Sequence, residues 1–159
     1  MRDACETCFL HGKNFACPPY SSFFPDWVKG SHTAKVIFLR FPADAFDGES
    51  PEGRANACNR EARLLLSREL LEYQKKGYKV AGAGPCRSCE ICGAAQSEEE
   101  CRAPVKRIYS LESMGVNVVE LTKRAFDIDL DWEGEEGAMI GAVGCVFDLQ
   151  EKELLDLSD

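Results

Sequence analysis

A chain of 159 residues, 45% of them hydrophobic, has material for one domain with one buried core, and no apolar run approaches the ~18–20 residues that cross a bilayer. The net charge of −8, from 27 acidic against 19 basic residues, argues against a nucleic-acid partner, which would be held by clustered Lys and Arg, and suits a basic protein partner. Nine cysteines behind an N-terminus with no export signal place the chain in the reducing cytoplasm, where clustered thiols read as metal ligands.

Residues 1–25 are rich in Cys, Gly, Pro and aromatics without a period, which predicts an irregular wrap. Lys35 to Phe41 is an apolar, β-branched run ended by Pro42, and predicts a largely buried first strand, followed by a loop through Asp47, Gly48 and Ser50. Ser50 is placed to cap a helix that begins at Pro51 and Glu52 and closes at Gly77 after Lys75 and Lys76. Cys58, Ala62, Leu65, Leu66, Leu70 and Tyr73 share one side of it. Tyr78 to Ala83 reads as a strand leading into a cysteine loop.

Beyond that loop, Ser110 is placed to cap a short helix ending at Gly115, Val116 to Val119 reads as a third strand, and a further helix is expected around Leu121 to Phe126. Asp127 to Gly137 reads as an acidic surface loop, Ala138 to Phe147 as a buried strand, and the last dozen residues as a short tail helix. Strands alternating with helices predict an α/β or α+β core: a small mixed sheet of about four strands, flanking helices, and cysteine loops on its edge, all in one domain over 1–159.

Cys86, Cys89 and Cys92 stand at two successive x2 steps, with Cys101 nine positions on. A [4Fe–4S] cubane needs four sulfurs around a compact body, and two x2 steps let one turn of backbone wrap three of its corners. Gly82, Gly84 and Pro85 allow the bends that leave backbone amides free to point at sulfur, and Pro104 follows the last ligand closely. Zinc is the rival, although it takes four thiolates more often as two separated pairs.

Cys5, Cys8 and Cys17 form a second group, with His11 between them. It supplies three thiolates, and the fourth place falls to Cys58, Cys145, His11 or no protein atom, in which case an iron stays open to substrate. Cys58 and Cys145 read as core residues, His11 and His32 as surface ones, and Tyr20, Phe23, Phe24 and Trp27 as an apolar cover over this site. Arg87, Arg102, Lys106 and Arg107 crowd the main loop, either offsetting the charge of an anionic cluster or forming a basic patch for an anionic substrate or an acidic partner.

The ordered set of Cys8, Gly12-Lys13-Asn14, Cys17-Pro-Pro19, Gly77-Tyr78, Ala83 to Arg87, Cys101 to Pro104 and Ser110-Leu-Glu112 with Gly115-Val116 resembles a domain-of-unknown-function family of predicted metal-binding proteins, common in anaerobic bacteria and archaea. The resemblance spans most of the chain. It implies that Cys5, Cys8, Cys17, Cys86, Cys89, Cys92 and Cys101 are ligands, and it does not extend to Cys58 or Cys145. It assigns no reaction.

Three functions fit these residues. The first is an iron–sulfur electron carrier with one or two [4Fe–4S] clusters and a redox partner protein. The second is an iron–sulfur enzyme using an open iron at the N-terminal group, and the third a structural zinc module. Two histidines in unrelated loops offer no hydrolytic set, and no phosphate loop or nicotinamide fingerprint occurs. Neither membrane nor nucleic acid is expected as a partner, and the oligomeric state stays open.

Overall fold

Residues 2–31, 33–46, 50–130 and 139–148 are described by the computed structural model. At their centre lies β4 (Met139–Phe147), flanked by the antiparallel β1 (Ala34–Pro42), whose register runs from Ala34 opposite Phe147 to Pro42 opposite Met139. On the other side of β4 the antiparallel β2 (Lys79–Gly82) pairs, and β3 (Tyr109–Ser110) joins β2 in parallel, giving the order β1-β4-β2-β3. The result is the mixed α+β sheet expected from the sequence.

Each residue from Ile140 to Phe147 is buried, because both faces of β4 are covered, which is why its sequence is an unbroken apolar run rather than an alternation. One cover is α2 (Pro51–Lys75). Ser50 caps it by accepting a hydrogen bond from Gly53 N at 3.1 Å, Pro51 opens its first turn, and Gly77 at φ +94° turns the chain away from its end. Ala55, Cys58, Ala62, Leu66 and Leu70 recur at steps of three and four and are all buried; Leu65 and Tyr73, expected with them, are only half-buried at the margins of the stripe.

Leu66 and Leu70 meet β4 at Gly144, where a Cβ would lie 3.0 Å from Leu70 Cδ1 and 3.1 Å from Leu66 Cδ1, so the missing side chain is what lets the helix seat. Leu66→Ala, at a site 1% exposed, is expected to cost about 2–5 kcal/mol, read as a lower urea midpoint at unchanged slope.

The opposite face is covered by α1 (Phe24–Trp27), the turns of 111–115, and α3 (Val118–Phe126). Phe147 lies between Phe24 at 5.8 Å and Trp27 at 5.4 Å between ring centroids. Phe24 and Trp27 therefore roof the sheet, not the cysteines as the sequence led us to expect.

Further elements differ from expectation. β1 is an edge strand and only half-buried rather than largely buried; Pro42 ends it as expected, an edge being where a proline is tolerated as a strand residue. Val116 to Val119 is not a strand: the Asn117 side chain accepts from Glu120 N at 3.2 Å and starts α3, while the third strand in chain order is the two-residue Tyr109–Ser110. Ser110 Oγ does accept from Ser113 N at 3.0 Å, but the chain makes a turn there and no helix, since Gly115 at φ +92° redirects it within one turn. The loop at 47–49, His32, most of the acidic stretch (131–137) and the tail fall outside the described residues.

Candidate metal centre

β2 hands the chain into the main cysteine loop at Gly82, and β3 receives it again at Tyr109. Between them Cys86, Cys89, Cys92 and Cys101 border one small cavity, together with Asn14, Phe15 and Arg107. Ser88 knits the loop, donating to the Lys106 carbonyl at 2.6 Å while accepting from the Cys86 thiol at 3.4 Å. Arg102 is clamped by Glu98, with Nε to Oε2 at 2.8 Å, and stands within electrostatic reach of Cys89 and Cys92.

The N-terminal wrap forms the inner wall of this cavity. Phe15 N points at Cys92 Sγ at 3.4 Å, and Asn14 Nδ2 donates to the Cys86 carbonyl at 3.1 Å while Asn14 Oδ1 accepts from Ala16 N at 2.9 Å. The amide aimed at Cys92 therefore comes from Phe15, where the sequence had pointed to the Gly82–Pro85 bend. The wrap is tied on its far side by Ser113 Oγ to the Ala16 carbonyl at 2.9 Å and Ser21 Oγ to the Ser113 carbonyl at 3.0 Å.

Cys5, Cys8 and Cys17 border a second and larger cavity of about 350 Å³, which Arg63, Glu112 and the exposed Arg87 also line. A 3-10 turn (Arg2–Cys5) sets Cys5, Cys8 N bonds the Cys5 carbonyl at 3.3 Å, and Cys17 N bonds the Asn14 carbonyl at 2.8 Å. Burial, then the proximity of Cys8, Cys5, Cys92 and Cys86, pushes the Cys17 thiol up to about 11. Cys17 is thus a neighbour of both cysteine groups. Burial also raises Cys5, with Cys8 and Glu112 adding to the effect. His11 is exposed, with Nδ1 hydrogen-bonded to the Cys5 carbonyl at 3.1 Å. Of the expected cover, Phe23 is 56% exposed beneath the Arg2 guanidinium and Tyr20 packs on Phe15.

Asn14, Glu112 and Arg63, to which no role was assigned from the sequence, also line these cavities. Asn14 and Glu112 lie in the resembling motifs, and their polarity at otherwise enclosed positions was the available signal. Arg63 lies one turn from Asn59, so α2 carries a short polar stripe beside its apolar one. Glu112 Oε2, Arg63 Nε and Asn59 Oδ1 are all out of solvent without a hydrogen-bond partner. Burial raises the Glu112 carboxyl, opposed by its own and the Gly84 backbone amides, Ser110 and Arg63, and burial lowers Arg63.

Cys58 and Cys145 sit in the core. Cys58 is 0% exposed with Sγ 3.6 Å from the Ile140 carbonyl, and burial pushes the Cys145 thiol up to about 12. A thiol whose pKa is raised by folding stabilises the fold below its ordinary value of about 8.5 and loses that contribution as pH climbs to the raised one. The stability of the metal-free protein relative to its Cys145→Ala variant is accordingly expected to be constant up to about pH 8.5. It then falls by up to about 1.4 kcal/mol per pH unit, measured by urea denaturation across pH 7 to 11.

Among the described residues, no three or more His, Cys, Asp or Glu side chains stand in the arrangement that grips a single ion, whose four tetrahedral sulfurs would lie only about 3.8 Å apart. No described helix is long and apolar enough to cross a membrane. No curated protein and no solved structure matches the chain. The family model described as "Predicted metal-binding protein (DUF2284)" matches residues 1–147, a span that holds all nine cysteines and both cavities, and the chain belongs to that family.

Proposed function

We propose that the protein is a cytoplasmic iron–sulfur protein that holds a [4Fe–4S] cluster on Cys86, Cys89, Cys92 and Cys101 and passes single electrons to a partner protein. The observation that carries this reading is the convergence of four thiols, and of no carboxylate or imidazole, on one cavity with a backbone amide at Cys92 Sγ. Four thiols on one cavity match the four sulfur ligands that a body of several metal atoms takes. The cavity is tight, about 20 Å³, so the thiols must spread to seat such a body. They lie on a stretch between Gly82 and Tyr109 with nothing more rigid than two short 3-10 turns, which lets them do so.

Such a cluster supplies one-electron redox chemistry. The residues of this chain provide four thiolates, the Phe15 amide whose hydrogen bond to sulfur favours the reduced state, and Arg102 and Arg107 to offset negative charge. A second reading, an open iron at Cys5, Cys8 and Cys17, is favoured by the 350 Å³ cavity beside those thiols, which no fourth cysteine borders.

Protein purified without oxygen is to be assayed for iron, sulfide and zinc with its absorption spectrum. About eight irons per chain supports clusters at both groups, and about four a single cluster. Zinc without sulfide would sink both readings and leave a structural module.

A further inference from the structure

Asn59 and Arg63 stand one turn apart on α2, and Glu112 lies in the turn that follows β3. The three line a crevice of about 10 Å³ whose remaining wall is apolar, with Ala83, Val118 and Val143 among it. It lies where β4 runs on past its last partner in β2, Ala81 opposite Cys145. Asn59 Oδ1, Arg63 Nε and Glu112 Oε2 are all out of solvent, and none has a hydrogen-bond partner among the described residues. A Cβ on Gly84 would lie 3.1 Å from Arg63 Nε, so the backbone of the cysteine loop covers the guanidinium on that side. Arg63 thus lines the larger cavity as well, while its Nε is shut off from it.

A buried polar atom without a partner is costly, and most so in a charged group, so three at one crevice call for a shared partner. The kinds of atom select it. Two are acceptors and one is a donor, and a molecule that donates twice and accepts once meets all three. A water molecule does this, and a buried water needs about 10–15 Å³ of room and two to four polar partners. The crevice offers room for one such molecule and three partners. A cation would face the Arg63 guanidinium and an anion the two oxygens, so neither answers the set, and a polyatomic ligand does not fit.

We propose that this crevice is a binding site for one water molecule, which donates to Asn59 Oδ1 and Glu112 Oε2 and accepts from Arg63 Nε. The water is a positioning group. Arg63 and Glu112 also line the cavity bordered by Cys5, Cys8 and Cys17, so it holds two charged side chains of that wall from behind and keeps them from closing into a direct ion pair. The inference does not depend on which metal the cysteines hold, since none of the three residues is a thiol.

The test is a high-resolution crystal structure of the full chain, purified without oxygen, and of Asn59→Leu, which keeps the bulk of the side chain and removes its acceptor. In the wild type a single water peak is expected within about 3.2 Å of all three atoms. No peak there, a peak that refines as an ion, or Arg63 Nε in direct contact with Glu112 overturns the proposal. In Asn59→Leu the peak is expected to be lost and Arg63 and Glu112 to move into contact, with the folding equilibrium constant lowered by about tenfold. A lowered constant alone would suit a merely structural asparagine. Arg63 and Glu112 at their wild-type places without the peak would show that the water positions nothing, and a peak that persists unchanged would remove Asn59 from the site. Should the variant not fold, the wild-type peak decides alone.

Discussion

Replacing Cys86, Cys89, Cys92 and Cys101 together by Ala is expected to remove about four irons and four sulfides per chain, with loss of the corresponding absorption, while Cys58→Ala leaves the content unchanged. The reason for the contrast is position. The first four thiols share a cavity at the edge of the sheet, whereas Cys58 is enclosed between α2 and the carbonyls of Phe41 and Ile140. Cys17→Ala extends the experiment, because it lies within electrostatic reach of both groups. Loss of about half the iron assigns it to its own cluster. Iron content indifferent to all four loop cysteines would overturn the assignment.

Asn14→Ala is expected to have the next largest effect, about 2–4 kcal/mol of stability in the metal-free protein, together with faster bleaching of the loaded protein by a chelator. Asn14 is 5% exposed and bridges two parts of the chain 72 positions apart, donating to Cys86 and accepting from Ala16. Asn14→Asp separates the two consequences. It keeps the acceptor for Ala16, loses the donor to Cys86 and sets a carboxylate near the thiols, so it should accelerate bleaching more than it lowers the urea midpoint. Equal effects of the two variants on both readouts would show that Asn14 serves folding only.

The parts of the fold that the sequence announced are those with local causes. α2 was legible because Ser50, Pro51 and Gly77 mark its ends chemically and its apolar residues recur at helical spacing. β4 was legible because a strand covered on both faces cannot afford polar residues. β3 was not, since two residues become a strand only by pairing with Ala81 and Gly82, and that partnership is set by the tertiary fold. Val116 to Val119 misled because β-branched residues favour strands, while the Asn117 side chain satisfies a helix start and prevails locally.

The site divides in the same way. Cysteine spacing revealed two groups, because thiols that border one cavity from a short loop must be close in sequence as well as in space. Their adjacency was hidden, since it depends on Asn14 and Phe15 reaching across to Cys86 and Cys92. Arg63 and Glu112 were hidden for a related reason: a single charged residue on a helix or turn looks solvated until the opposing surface is known.

The parallel pairing of Gly82 with Ser110, reinforced by Leu111 N to the Gly82 carbonyl at 2.9 Å, closes the base of the main cysteine loop independently of its thiols. The chain entropy of bringing the loop ends together is therefore already spent by the sheet. Four thiols tethered to a closed ring keep a high effective concentration for one another even when empty. A protein stripped of its metal should keep its sheet, and once one thiol has caught metal the others close on it intramolecularly, so that the loop behaves as a rechargeable holder rather than a domain that must refold around each new cargo.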